Sequence, residues 1–522
     1  MRVLLINPPY PVCEGLTMPL GLLYLAARLE EAGHRVEVAD LQLCRAPIFR
    51  LKEAIRRLDP MVVGITSFSI NLSKASRMLR TAKRCSEEIF TLWGGPHASF
   101  DDAGILNRHP WVDAVARGEG EETLLELVDA LERGDSLERV RGVTWRRPDG
   151  SLRRNEDRAF RPDLESLPRP AWHLLELSKY RAFGEGASII TSRGCPHRCL
   201  FCVGRRMVGA KGRFRTPKAV VDEMEALCRL GFQHVRVEDD LFTLRRDRAL
   251  SICREVERRG LSVRWRAYSR VDTVDPELLA CMRRAGCERL LFGAESGSPQ
   301  ILRRIGKGIT PEQTRRAVAM CKEAGIGVLA SFVLGLPGET PDTLRMTLEF
   351  AESLGVPYTL NLLTPYMGTA VRDRASKLGI EILSDEWALY GQGKPVAATA
   401  SVRPWHLSRA LASYRRGLEA YAEGLLEDER RGTLTEKGAE ELERRRRLAF
   451  LRRLIGEDLL ERHPPLPLMP ETQALERLSR SLAAIMGQAR EEIEPYLESL
   501  ATQGHIKLSK EAGAMRWMWT RS

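Results

Sequence analysis

Cys195, Cys199 and Cys202 form a Cx3Cx2C array within Thr191-Ser192-Arg193-Gly194-Cys195-Pro196-His197-Arg198-Cys199-Leu200-Phe201-Cys202. Three thiolates in so short a loop can wrap one metal centre while backbone N–H groups point at the sulfurs. Three is the informative number. A structural zinc site closes its shell with a fourth ligand, whereas a [4Fe-4S] cluster held by three cysteines keeps one iron open to a substrate or a second cofactor. His197 offers a fourth ligand for zinc, but it lies two residues from Cys195 and between the ligands, which favours the cluster. The other eight cysteines are scattered through the chain, mostly in helical or strand-like stretches where a thiol packs as a small hydrophobe. An odd total of eleven does not describe a disulfide framework.

A loop that holds a metal centre needs rigid elements on both sides. From Ala187 the sequence alternates strand and helix signals: strands at 188–191, 234–238, 263–267, 289–292, 327–333 and 358–362, with helices from Pro217, Arg246, Pro276, Thr310 and Thr340 between them. This pattern predicts a partial (β/α)6 barrel resembling a TIM barrel, with the cysteine loop directly after its first strand, at the carboxyl end where such folds do chemistry. A second β/α series precedes it, with strands at 3–6, 35–39, 62–66 and 90–93 and helices at 20–32, 49–58 and 73–85. That series predicts a Rossmann-like doubly wound parallel sheet, also open at its strand ends. The expected organisation is an N-terminal domain over 1–145, a connector over 146–182 containing a hairpin at Pro148-Asp149-Gly150, the barrel over 183–400, and a mostly helical region over 401–522. The last part, helices near 471–486 and 491–503 followed by 506–508 and 515–520 as a hairpin, suggests a winged-helix-like unit, with a plain helical cap as the alternative.

The 522 residues are 43% hydrophobic and 29% charged, which excludes disorder and suits about three globular domains. No apolar run approaches the ~20 residues of a membrane span, and Pro8-Pro9 interrupts the apolar N-terminus too early for a signal peptide, so the expected location is the cytoplasm. The net charge of +11 resides mainly in residues 151–401, with 40 Lys and Arg against 30 Asp and Glu. Arg444 to Arg447 are flanked by Glu440, Glu441 and Glu443 and read as a solvated helix face rather than a nucleic-acid patch.

The cysteine segment resembles that of the radical SAM superfamily. The resemblance implies that Cys195, Cys199 and Cys202 hold a [4Fe-4S] cluster, that S-adenosylmethionine (SAM) chelates the open iron, and that Phe201 packs near the adenine. Reductive cleavage of SAM then supplies a 5'-deoxyadenosyl radical, with the electron coming from an external donor such as flavodoxin or ferredoxin. Further candidates for SAM follow on this basis. Asp239 and Asp240 after the second barrel strand would meet SAM or substrate, or cap the next helix. Arg270 would pair with the SAM carboxylate or serve a structural role. Glu295 lies in Gly293-Ala294-Glu295-Ser296-Gly297, and Ser331 and Gly335 lie in the SFVLGLPGE segment alongside the adenine.

Asn7-Pro8-Pro9, Pro19-Leu20-Gly21-Leu22, the loop 66–73, Gly94-Gly95-Pro96-His97-Ala98-Ser99 and Gly118-Glu119-Gly120-Glu121-Glu122-Thr123 occur in the order found in cobalamin-binding radical SAM proteins. The resemblance then spans about residues 1–400 and implies cobalamin contacts from Pro8, Leu20, Gly21, Ser67, Asn71, Gly94, Gly95, Pro96, His97, Gly118, Glu119 and Gly120. No histidine has Asp two positions before it and Gly three after, so an axial histidine from that motif is not expected. His97 fits a nucleotide-tail contact or a capping residue better than a cobalt ligand.

The expected function is a cobalamin-dependent C-methyltransferase acting on an unactivated carbon of a small-molecule substrate. An oxidative cyclase or ring-rearranging enzyme with the same cofactors is the alternative, since nothing in the motifs separates the two. An RNA-modifying protein that uses the basic barrel and the C-terminal unit is a third reading, disfavoured because SAM and an acidic substrate account for the charge equally well.

Overall fold

The structure is a computed structural model describing residues 1–10, 16–184, 186–391, 393–511 and 513–520. Cys13 lies outside the described residues.

Seven strands make the first sheet: β1 (Arg2–Asn7), β2 (Arg35–Asp40), β3 (Val62–Thr66), β4 (Phe90–Gly94), β5 (Ala114–Ala116), β6 (Val143–Arg146) and β7 (Leu152–Arg154), in the order β2-β1-β3-β4-β5-β6-β7. The first five run parallel, and the central ones are buried on both faces, as the unbroken apolar runs at 3–6 and 62–65 require. The hairpin β6–β7 adds antiparallel to β5 and extends this sheet as far as Arg154.

The second sheet contains β8 (Ala187–Ile189) and is continued, after a short antiparallel pair β9 (Ser192–Arg193) and β10 (Arg213–Phe214), by β11 (His234–Val237), β12 (Arg264–Ser269), β13 (Cys287–Glu295), β14 (Gly327–Leu334) and β15 (Tyr358–Leu362). Its six strands are all parallel in the order β15-β14-β13-β12-β11-β8, the sequential order of a partial barrel. Helices Pro217–Arg229, Pro276–Arg284, Pro311–Glu323 and Pro341–Ser353 start with Pro in the first turn after a Thr or Asp cap. This chemistry satisfies a free N–H group and fixes each helix start. Along the strands burial alternates: Val235 and Val237, Trp265 and Ala267, Leu290 and Phe292 face the helices and are buried. The residues between them face the concave side.

Beyond the barrel, β16 (Ile380–Ile382) pairs with β17 (Ala397–Thr399), and two helices, Pro404–Arg431 and Glu436–Gly456, form a charged pair. Glu441 binds Arg444 and Arg445, and Glu429 binds Arg446, which agrees with a solvated face. Helices Glu471–Met486 and Arg490–Thr502 then precede β19 (Ile506–Glu511) and β20 (Ala514–Trp519), with β18 (Leu466–Pro467) pairing on β20. Two helices followed by a hairpin with one added strand is a winged-helix-like arrangement. Among the described residues no helix is long and apolar enough to cross a membrane.

Candidate active site

The cysteine loop leaves the carboxyl end of β8 and is fastened at several points. Asp239 is 2% exposed and accepts four hydrogen bonds: from the Thr191 and Ser192 amides at 2.6 and 2.9 Å and from their hydroxyls at 2.5 and 2.6 Å. Arg248 donates to the Thr191 carbonyl at 2.7 Å. Gly194, at φ +105, has no room for a Cβ, which would lie 2.2 Å from the Lys211 carbonyl oxygen. Farther along, the Leu200 amide donates to the Ile305 carbonyl and the Cys195 amide to the Gly209 carbonyl.

Burial holds the Cys199 and Cys202 thiols above the ordinary range. Among the described residues, the group of His, Cys, Asp and Glu ligand atoms all within 4.8 Å of one another is His34, Asp129 and Glu132. The Gly204 amide donates to Cys202 Sγ at 3.3 Å, an N–H group aimed at a sulfur. His197 sits beside Arg270, Asp272 and Lys307, and burial holds its pKa below the ordinary range.

The two adjacent aspartates differ. Asp239 is consumed in holding the loop. Asp240 accepts from the Gly194 amide at 3.2 Å, faces the large cavity, and is pushed up by burial. Arg270 is buried and held by Asp272 at 2.8 and 2.9 Å and by the Lys307 carbonyl. Glu295, at the end of β13, has φ +65 where the pairing with β14 shifts register, a bulge that redirects its side chain. Its Oε1 accepts from Lys307 Nζ at 2.7 Å, and both residues are buried. Gly293 leaves the space for this pair, since a Cβ there would fall 2.2 Å from Glu295 Oε1 and 2.7 Å from Lys307 Nζ. Ser331 Oγ accepts from Asn361. The amide of Gly335, at φ +84, donates to Glu339. Phe201 is half-buried and packs against the barrel core.

A cavity of about 990 Å³ lies between the two sheets. Leu20, Gly21, Gly94, Gly95, Pro96, Gly118, Glu119 and Gly120 line it from the first domain, and Ile190, Ser192, Arg193, Asp240, Arg236, Glu238, Arg266 and Tyr268 from the barrel. Gly95, at φ +99, passes so close to Ser67 that a Cβ would lie 2.6 Å from its carbonyl oxygen. Gly94 has no atom nearer than 3.9 Å to such a Cβ, so its open side can accept a large flat ligand.

Pro8, Ser67, Asn71 and His97 stand behind this surface. Pro8 is buried, Ser67 accepts from Trp93 Nε1 at 2.8 Å, and Asn71 accepts from the Phe68 amide at 2.9 Å. His97 is buried, with Nδ1 2.8 Å from Ser69 Oγ, Nε2 3.4 Å from Asp101, and its ring edge-on to Trp387 at 4.6 Å. Glu119 carries a second duty, accepting from Arg193 at 3.1 Å and Arg213 at 2.8 Å.

Lys307 and the barrel residues Arg236, Glu238, Arg266 and Tyr268 were not singled out from sequence. For the latter a signal existed: the alternation His234-Val235-Arg236-Val237-Glu238 and Arg264-Trp265-Arg266-Ala267-Tyr268 places polar side chains on the concave side of central strands. Nothing in the sequence around Gly306-Lys307-Gly308 marks the lysine.

Both halves of the chain are similar to known proteins. Residues 189–351 match the radical SAM superfamily and residues 12–128 match the B12 binding domain. The chain is 35% identical to an uncharacterized methyltransferase of Pyrococcus horikoshii, over 76% of this chain and 87% of that protein. It is 32% identical to the anaerobic magnesium-protoporphyrin IX monomethyl ester cyclase of Rubrivivax gelatinosus, over 80% of this chain and 77% of that one. Among solved structures, the radical SAM methyltransferase TsrM of Kitasatospora setae, with tryptophan substrate and a SAM analogue bound, superposes with a TM-score of 0.63 at 25% identity, covering 73% of this chain and 78% of that one. The chain belongs to the cobalamin-binding radical SAM family, and its cofactors are a [4Fe-4S] cluster, SAM and cobalamin. The residues present fit these groups: three cysteines in one short loop, buried polar side chains beside that loop, and a glycine-lined cavity large enough for a corrin face.

Proposed function

We propose that the protein is a C-methyltransferase for an unactivated carbon of a small molecule, with Cys195, Cys199 and Cys202 holding the cluster. The cofactors together supply a radical able to abstract hydrogen and a transferable methyl group. The chain's own part is placement. The observation that carries this reading is the single cavity bounded by the Gly94-Gly95 and Gly118–Gly120 loops on one side and by Asp240 and the barrel strands on the other. A substrate there reaches both cofactor surfaces without crossing bulk water, which protects a reactive carbon from quenching. Asp240, Glu295 and Lys307 supply the polar contacts for SAM, and Gly95 keeps the backbone low enough for the corrin. An electron donor of the flavodoxin or ferredoxin class completes the system.

Anaerobic incubation of the reconstituted protein with candidate metabolites, SAM and a reductant tests the proposal. The expected product is heavier than its substrate by one CH2 group. The 32% identity to the anaerobic cyclase supports a second reading, oxidative cyclisation. A product with unchanged carbon count would establish that reading in place of methylation.

A further inference from the structure

The concave face of the barrel carries a row of arginines at one level of the sheet. Parallel register places Arg236 of β11 beside Arg266 of β12, and Arg266 beside Arg289 of β13. Neighbouring strands lie about 4.8 Å apart, so three guanidinium groups rise from one level of the sheet. Their neighbours in sequence, Val235, Val237, Trp265, Ala267 and Leu290, are buried toward the helices, which fixes the arginines on the opposite, open side. Arg236 and Arg266 line the cavity, and Arg289, exposed and outside its lining, is next in register.

Barrel interiors are normally filled by branched apolar side chains, so three adjacent cations in this layer call for a reason. Arg236 makes contacts of its own, with Glu238 at 2.8 Å and with Thr17 of the first domain at 3.1 Å. Arg266 is engaged as well. A guanidinium presents five N–H donors in a planar fork and can hold several acceptors at once. Planar bidentate donors side by side match the oxygens of a carboxylate or a phosphate.

Building on the proposed function, we infer that Arg236 and Arg266, with Arg289 next in register, bind the anionic group of the substrate, a carboxylate or a phosphate, in the shared cavity. The anion anchors one end of the molecule while the carbon to be modified lies nearer the strand ends. There Gly293 and Ser331 stand four residues beyond Arg289 in register, a rise of about 13 Å along the strand.

The test is calorimetric titration of the reconstituted full chain at low ionic strength with inorganic phosphate and, separately, with succinate. Saturable binding of at least one is expected, weakened about tenfold or more in Arg266→Gln and in Arg289→Gln, and unaffected in Arg345→Gln on the outer helix. The tighter probe identifies which anion the site prefers. Iron content, cobalamin content and melting midpoint of each variant show that the fold is intact. Failure to bind either anion, or equal binding by wild type and both barrel variants, overturns the inference. Because binding is read without turnover, anion binding with no gain of a CH2 group would refute methylation alone. Methylation of a neutral metabolite by a protein indifferent to both anions would refute the anion site alone.

Discussion

Arg193 and Glu121 join the two domains: the guanidinium Nη2 of one lies 2.6 Å from Oε1 of the other, and both side chains are about nine-tenths buried. Arg193 stands two residues before Cys195, and Glu121 directly follows the Gly118–Gly120 loop. The pair therefore ties the cluster loop to the cavity's glycine edge, with Glu119 and Arg213 beside it.

Breaking one partner of a buried ion pair leaves the other charged and desolvated, at a cost of about 3–5 kcal/mol. Arg193→Gln is expected to lose stability of that order in urea denaturation and to weaken cobalamin binding and SAM cleavage together. A variant as stable as wild type would show that the pair is not structural.

Replacing Cys195, Cys199 and Cys202 with Ala should remove the roughly four iron atoms per chain and abolish 5'-deoxyadenosine formation. Changing Cys253, Cys281, Cys287 or Cys321 should leave iron unaltered. These thiols are buried, and burial pushes Cys321 up to about 12. Retention of iron by the triple variant would refute the assignment of the ligands.

Glu295 and Lys307 are expected to act as one unit toward SAM. Glu295→Gln should weaken SAM binding about tenfold to a hundredfold, the equivalent of one lost charge-assisted hydrogen bond, with iron and cobalamin content normal. Lys307→Met strands the buried carboxylate and should lower stability as well. Titration of SAM against the paramagnetic signal of the cluster measures the first effect, and chemical denaturation the second. Unchanged SAM affinity in Glu295→Gln would make the pair structural only.

Paramagnetic resonance of the cob(II)alamin form should show no nitrogen splitting from an axial imidazole. His97 is directed at Ser69 and Trp387 rather than the cavity. Splitting that disappears in His97→Ala would contradict this placement.

Burial pushes the Glu339 carboxyl up to about 8, against the Gly335 and Leu336 amides that draw it down. The unfolded chain releases this proton near 4.5, so between about pH 4.5 and 8 the folded state holds a proton that the unfolded state does not. The group's contribution to stability is complete below that window and is lost as pH rises through it. Glu339→Gln keeps an acceptor for the Gly335 amide and cannot titrate. Denaturation midpoints measured near pH 5 and pH 8 should therefore fall less in the variant than in wild type.

The three-cysteine loop, both parallel sheets and the order of the two β/α series were legible in the sequence alone, because each rests on local rules. Cx3Cx2C places three thiols within one loop, and apolar runs punctuated by Thr-Pro and Asp-Pro caps fix strand and helix starts. Even the winged-helix-like unit was legible from its two helices and hairpin. Tertiary structure decided which polar residues work together. Asp239 and Asp240 are adjacent in sequence, yet one anchors the cluster loop and the other faces the cavity. Ser67 and His97 belong to loops of the right type but point behind the surface. Lys307 reaches Glu295 from twelve residues away, and Glu121 meets Arg193 from seventy-two. Such pairings depend on strand register and on how the two sheets face each other, and long-range proximity of this kind leaves no periodicity in a chain.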